Sequence, residues 1–135
     1  MPKFIQTLKN DHRIILLLLK KSSNPNLTNE ERTAFLTTIK FLISDHFETE
    51  NKDLYPVLFN NIDKNDEISK TAKSFMNGLL SLGNIIDNFF TKHVKDPKDL
   101  HRDSDFPKIV KLLETRIKQE EKELYPLYNE IVTEN

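Results

Sequence analysis

From Lys3 onward, apolar residues return in steps of three and four. Ile5, Leu8, Ile15 and Leu19 share one stripe with His12 at its centre, a spacing that predicts a helix with one inward face over about residues 3–21. Ser22-Ser23-Asn24-Pro25-Asn26 is a turn cluster. Thr28 reads as an N-cap, with Glu31 three residues on to complete a capping box. A second stripe of Ile39, Ile43, His46, Glu50, Leu54 and Val57 predicts a helix to about residue 60, in which Pro56 should remove one backbone hydrogen bond and bend the last turn. Residues 60–66 form the next turn. Ile68, Ala72, Phe75, Leu79, Leu82, Ile86, Phe89 and His93 predict a third helix over about 66–93. A polar, proline-containing connection over residues 94–105 is expected to wrap the top of the domain. Ile109, Leu113, Arg116, Glu120, Leu124, Leu127 and Ile131 predict a fourth helix over about 105–133, with Pro107 acceptable in its first turn. Four such segments predict an all-α, up-down-up-down four-helix bundle in a single domain over residues 1–135.

The chain also repeats itself. His46-Phe-Glu-Thr-Glu50-Asn-Lys-Asp-Leu54-Tyr55-Pro56 recurs as Arg116-Ile-Lys-Gln-Glu120-Glu-Lys-Glu-Leu124-Tyr125-Pro126, seventy residues later (116 − 46 = 70). Positions four apart share a helix face, so His46 points with Glu50 and Arg116 with Glu120. Together with His12, five polar side chains lie on core stripes, where each costs free energy unless paired. Measured from the end where the first helix starts, His12 lies about nine residues up, His46 and Glu50 about fourteen and ten, and Arg116 and Glu120 about seventeen and thirteen. At ~1.5 Å per residue these levels overlap within about two turns and form one polar layer. The third helix meets that level with Ala72, Phe75, Met76 and Leu79, while its His93 lies ~21 Å above Leu79. Gly78 and Gly83 each weaken that helix by ~1 kcal/mol relative to Ala and suit a close helix approach.

Composition narrows the chemistry. There is no cysteine, which leaves oxygen and nitrogen as ligand atoms and excludes disulfides and thiolate sites. Twenty basic against twenty-one acidic residues give a net charge of −1, with no surplus for nucleic acid or an anionic membrane. The longest apolar run, Ile14 to Leu19, is far short of the ~20 residues of a membrane span. With no signal-peptide pattern at its start, the chain reads as soluble and cytoplasmic. No Ser-His-Asp set, P-loop or Gly-rich phosphate loop is visible, so hydrolase and nucleotide-dependent activities have no support. Nothing points to turnover of an organic substrate.

The inward His12, the His46-x-x-x-Glu50 pair before Leu54-Tyr55-Pro56, and Glu120-Glu121 before Leu124-Tyr125-Pro126 resemble the hemerythrin-like (HHE cation-binding) domain family over essentially the whole chain. That resemblance implies a four-helix bundle with a non-haem di-iron centre, and a role in binding or sensing oxygen, nitric oxide or iron, or in storing or repairing iron sites. It assigns His12 and His46 as nitrogen ligands and Glu50 and Glu120 as the carboxylates. Arg116 stands where a ligand His is expected, and the third helix offers no His at the right depth. Two nitrogens and two carboxylates suit a mononuclear Fe(II), Zn(II) or Mn(II) site.

Two functions lead, with an iron-dependent oxidase or peroxidase as a third reading for which no substrate is identified. One is a metal-binding protein, with iron in a mono- or dinuclear site and a diatomic gas as a further ligand. The other is a metal-free regulatory bundle that acts on a protein partner, with Arg116 neutralising Glu50 and Glu120. Phe35, Phe41, Phe47, Phe75, Phe89 and Phe90 read as core, His93 and His101 as solvent-facing or end-of-bundle residues. Tyr55 and Tyr125 are placed at the bundle base with their hydroxyls near its edge.

Overall fold

A computed structural model describes residues 3–60, 66–97, 100 and 103–134. They form four helical rods in up-down-up-down order. The first rod is α1 (Lys3–Ser22). The second is α2 (Asn29–Thr49), a π-helical turn π1 (Glu50–Leu54) and α3 (Tyr55–Phe59). The third is α4 (Asp66–Lys95), and the fourth is α5 (Asp105–Gln119), π2 (Glu120–Leu124) and α6 (Tyr125–Glu134). Around the bundle α1 packs on α2, α2 on α4, and α1 on α5.

Local chemistry accounts for the entry to α2. Thr28 Oγ1 accepts the Glu31 N–H at 3.0 Å, and the Thr28 N–H reaches Glu31 Oε1 at 3.0 Å, the reciprocal box that the sequence predicts. Arg32, to which the sequence pattern gave no role, is buried beneath the same turn. It donates to the carbonyls of Asn24 (2.8 Å) and Leu27 (3.4 Å).

The inward stripes are those expected, up to the two prolines. All eight positions of the α4 stripe, from Ile68 to His93, are buried. In the second and fourth rods the stripe shifts after Glu50 and Glu120. Tyr55 and Leu58 are fully buried while Val57 is half-buried, and Tyr125 is fully buried while Leu127 is half-buried. The expected bend at Pro56 is instead a π turn, closed by the Tyr55 N–H on the Glu50 carbonyl, and π2 is closed by the Tyr125 N–H on the Glu120 carbonyl. A proline ring clashes with the carbonyl four residues back in an α-helix and offers no N–H. A widened turn just before Pro56 and Pro126 relieves that clash without ending the rod.

Two hydrophobic clusters fill the bundle. One holds Ile15, Leu19, Ile39, Ile43, Leu82, Ile86, Ile109 and Leu113. The other holds Ile5, Leu8, Leu54, Leu58, Ala72, Leu79, Leu124 and Ile131. The buried polar residues His12, His46, Glu50, Arg116 and Glu120 lie between them, so the polar layer cuts the core in two.

One expectation changes, and one of two alternatives is decided. Phe41 is 69% exposed rather than core, because its position lies off the α2 stripe. His93 is buried, not solvent-facing. Its Nε2 lies 2.7 Å from Asp103 Oδ2 and its ring 4.5 Å from that of Phe89. It is an end-of-bundle residue that ties α4 to the segment before α5. His101 and residues 61–65 of the second turn lie outside the described residues.

Candidate metal centre

Four elements deliver the candidate ligands. His12 comes from the middle of α1, His46 from the last turn of α2, Glu50 from π1 and Glu120 from π2. His12 Nε2 lies 3.0 Å from His46 Nε2 and 3.0 Å from Glu120 Oε1. His46 Nε2 lies 3.5 Å from Glu50 Oε1 and 4.0 Å from Glu120 Oε1. His12, His46 and Glu120 each offer an atom within 4.8 Å of the others. Glu50 joins through His46, with its second oxygen on Tyr125 at 3.1 Å. The structure therefore brings together all four candidate metal residues and Arg116.

Both rings are held from behind. His12 Nδ1 is 2.8 Å from Glu121 Oε2, and His46 Nδ1 is 3.2 Å from Asp11 Oδ2. An ionised carboxylate only accepts, so each Nδ1 carries a hydrogen. In the neutral rings both Nε2 atoms are then lone pairs, 3.0 Å apart. Two acceptors at that distance need a proton or a cation between them. Glu50 Oε1 and Glu120 Oε2 are also buried without a hydrogen-bond donor. A carboxylate behind each histidine is the outer support that metal-ligating imidazoles commonly have. The donor set thus fits one divalent cation.

The electrostatics without a metal follow from burial and proximity. Burial and the neighbouring Glu120 charge push the Glu50 carboxyl well above its ordinary range, outweighing Arg116. Burial alone would raise Glu120 as well. Hydrogen bonds from His12, His46 and Glu50, with the Arg116 charge, reverse this and hold it low. Burial pulls His12 down, but Glu120 and Glu121 outweigh it and raise the imidazole. Of the two carboxyls, Glu50 is therefore the one that keeps a proton more readily and Glu120 the one that loses it.

Arg116 occupies the side of Glu120 away from His12. Its Nε is 3.4 Å from Glu120 Oε2, its Nη2 donates to the Tyr55 hydroxyl at 3.0 Å, and its guanidinium lies 4.8 Å over the Phe75 ring. Phe75 is what α4 brings to this depth in place of a nitrogen ligand. Gly78, one turn on, makes the room: a Cβ there would stand 3.2 Å from Arg116 Nη1.

Four residues of the site had no assigned place in it. Tyr55 and Tyr125 are not at the edge of the base. Both are fully buried, and the Tyr125 hydroxyl reaches His12 Nε2 (3.2 Å), Glu50 Oε2 (3.1 Å) and Glu120 Oε1 (3.4 Å). In an α-helix residues five apart diverge by about 140°, at 100° per residue. The π turns narrow that angle and swing both hydroxyls into the layer, Tyr125 onto Glu120 and Tyr55 onto Arg116. The signal was proline six residues after each glutamate, a local obstacle to α-helix inside an otherwise continuous stripe. Asp11 and Glu121 sit next to His12 and Glu120 in sequence, and only the packing of α1 against its neighbours shows which ring each one meets.

No curated protein and no solved structure matches the chain. The family model Hemerythrin HHE cation binding domain matches residues 3–128. With the bundle, the two Glu-to-Tyr-Pro turns and the His/Glu cluster in place, the chain belongs to the hemerythrin HHE cation binding domain family.

Proposed function

We propose that this chain is a single cytoplasmic domain that binds one non-haem iron through His12, His46, Glu50 and Glu120, and that it senses or handles oxygen, nitric oxide or iron. The observation that carries this reading is the meeting of two imidazole Nε2 atoms, 3.0 Å apart and each backed by a carboxylate at Nδ1. A bound ferrous ion supplies redox chemistry and an exchangeable coordination position. The chain's own residues do the rest. Asp11 and Glu121 fix the ring orientations. Glu50 gives up its proton when the cation arrives, since ligands bind deprotonated. The Tyr125 hydroxyl holds Glu50 and Glu120 in place, and the two hydrophobic clusters flank the layer on either side.

A second iron does not suit the residues present. Arg116 brings a permanent charge to the free side of Glu120, and α4 offers Phe75 there. The test is metal content per chain after expression with iron and after anaerobic Fe(II) loading. About one iron per chain, lost in His46→Ala, is the expected result. A protein that stays empty after loading sinks the proposal.

A second reading has its own support. Arg116 against Glu120, with the Glu50 proton, lets the layer be neutralised without any metal. In that case the bundle is a metal-free regulator that binds a protein partner. It predicts a melting temperature indifferent to Fe(II), Zn(II) and Mn(II), whereas a metal site raises it by mass action.

A further inference from the structure

The seam between α4 and α5 is not closed by side chains. A cavity of about 600 Å³ lies there, within the size range of small-molecule pockets. Leu82 and Leu112 give it apolar walls, and Arg116 lines it from the inside. A second cavity of about 480 Å³ shares Lys108 and Leu112 with the first and continues along the seam past Ile85 and Phe89. The apolar track has no cover among the described residues: Leu112 and Ile85 remain 43% and 48% exposed.

The charges along the first cavity are of one sign. Lys108, Lys111 and Arg116 line it, and no carboxylate among the described residues does. Lys108 keeps a loose contact with Asp105 at 3.9 Å, exposed on both sides. Surface lysines alone make no site, but Arg116 is different. Its side chain is 9% exposed. Its Nε faces Glu120 Oε2 at 3.4 Å without a hydrogen bond, Nη2 is used by Tyr55, and Nη1 lies on the Gly78 side. A buried guanidinium normally has its donors satisfied. Gly78 lines the cavity beside it, and the absence of a side chain there leaves the way to Nη1 open.

We propose that the α4–α5 cleft binds an amphipathic monocarboxylate, its head on Arg116 and its aliphatic tail along Leu82, Leu112 and Ile85. Arginine pairs with carboxylates through charge-assisted hydrogen bonds, and the apolar seam takes the tail by burial. The site does not require a metal, because none of His12, His46, Glu50 and Glu120 lines the cavity.

Calorimetric titration of the protein as isolated, with its metal content measured, tests this with three probes. Decanoate has head and tail, decanol lacks the charge, and acetate lacks the tail. Decanoate is expected to bind at least about tenfold more tightly than either control, the value of one charge-assisted contact. Arg116→Met should weaken decanoate by about tenfold and leave decanol unchanged. Leu112→Glu sits on an exposed lip where folding is not at stake, and it should weaken decanoate by a similar factor. Equal binding of decanoate and decanol overturns the proposal, as does acetate matching decanoate, which marks coordination to a metal or loose ion pairing. Decanoate binding that is absent, or unchanged in Leu112→Glu, overturns it as well.

Discussion

His12 and His46 meet Nε2 to Nε2 at 3.0 Å, across the boundary between α1 and α2, with each far nitrogen fixed on a carboxylate. The contact is repulsive for two neutral rings with their Nδ1 atoms protonated. It becomes favourable once a cation or a shared proton enters. The same two rings therefore make a metal site or a proton site, and pH decides between the occupants.

The outer carboxylates should matter without being ligands. Asp11→Ala removes the acceptor behind His46 and frees the ring to turn. The expected effect is a loss of Fe(II) affinity of about 10–100-fold, the usual value of such support. Stoichiometry at saturating iron should not change. Anaerobic titration of wild type and variant side by side gives both numbers. A variant with unchanged affinity would show that packing alone orients His46.

The pH dependence of the metal-free protein has a definite sign. Glu50 is raised from 4.5, so the unfolded chain gives up that proton first and stability falls as pH climbs from 4.5 through the raised folded value. His12 is raised from 6.5, so its contribution is complete below 6.5 and disappears as pH rises through its folded value. Glu120 is lowered from 4.5, so its contribution is complete above 4.5 and is lost on the acid side. The metal-free protein should thus melt higher at about pH 5 than at about pH 8. Metal binding should show the opposite trend and release protons, because Glu50 and His12 must deprotonate to ligate. Thermal melts across pH with and without Fe(II) check both limbs. A metal-free melting point that rises between the two values would contradict the assigned protonation of Glu50.

The bundle was legible because its stripes are long and nearly unbroken. Ile68 to His93 holds its spacing over eight positions, and every one is buried. The polar layer was legible for the same reason, since an inward His12, His46 or Glu120 on an apolar stripe is conspicuous. What escaped was what a straight helix hides. The π turns at Glu50 and Glu120 rotate Tyr55 and Tyr125 into the layer, and an i, i+4 template places them elsewhere. Asp11 and Glu121 look like ordinary solvated charges until α1 is packed against the other rods. Phe41 was misplaced by its residue type, though its position lies off the α2 stripe.

Arg116 should be costly to remove when no metal is present. Its guanidinium balances Glu120 at 3.4 Å and satisfies the Tyr55 hydroxyl. Arg116→Met keeps the bulk over Phe75 but strands a buried carboxylate. Breaking one side of such a pair costs about 3–5 kcal/mol. The expected loss in urea denaturation is about 3 kcal/mol, since the His12 contact with Glu120 remains. Fe(II) should recover part of it by taking over the charge of Glu120. A metal-free variant as stable as wild type would mean that Glu120 takes a proton at little expense.

The Tyr125 hydroxyl lies within hydrogen-bond distance of His12, Glu50 and Glu120 together. Tyr125→Phe deletes one oxygen from a fully buried ring and leaves the packing of Leu124 and Ile131 intact. The expected cost is about 1–3 kcal/mol, the range for a buried hydrogen bond with charged partners. Tyr128, half-buried and packed on Phe4 with ring centres 5.4 Å apart, is the natural comparison. Tyr128→Phe should stay within about 0.5 kcal/mol of wild type, as for substitutions that remove no buried interaction. Denaturant melts of the two variants separate a hydroxyl that organises the layer from one that merely fits. If Tyr125→Phe costs no more than Tyr128→Phe, the carboxylates hold their positions without it, and Glu50 owes its place to the π turn alone.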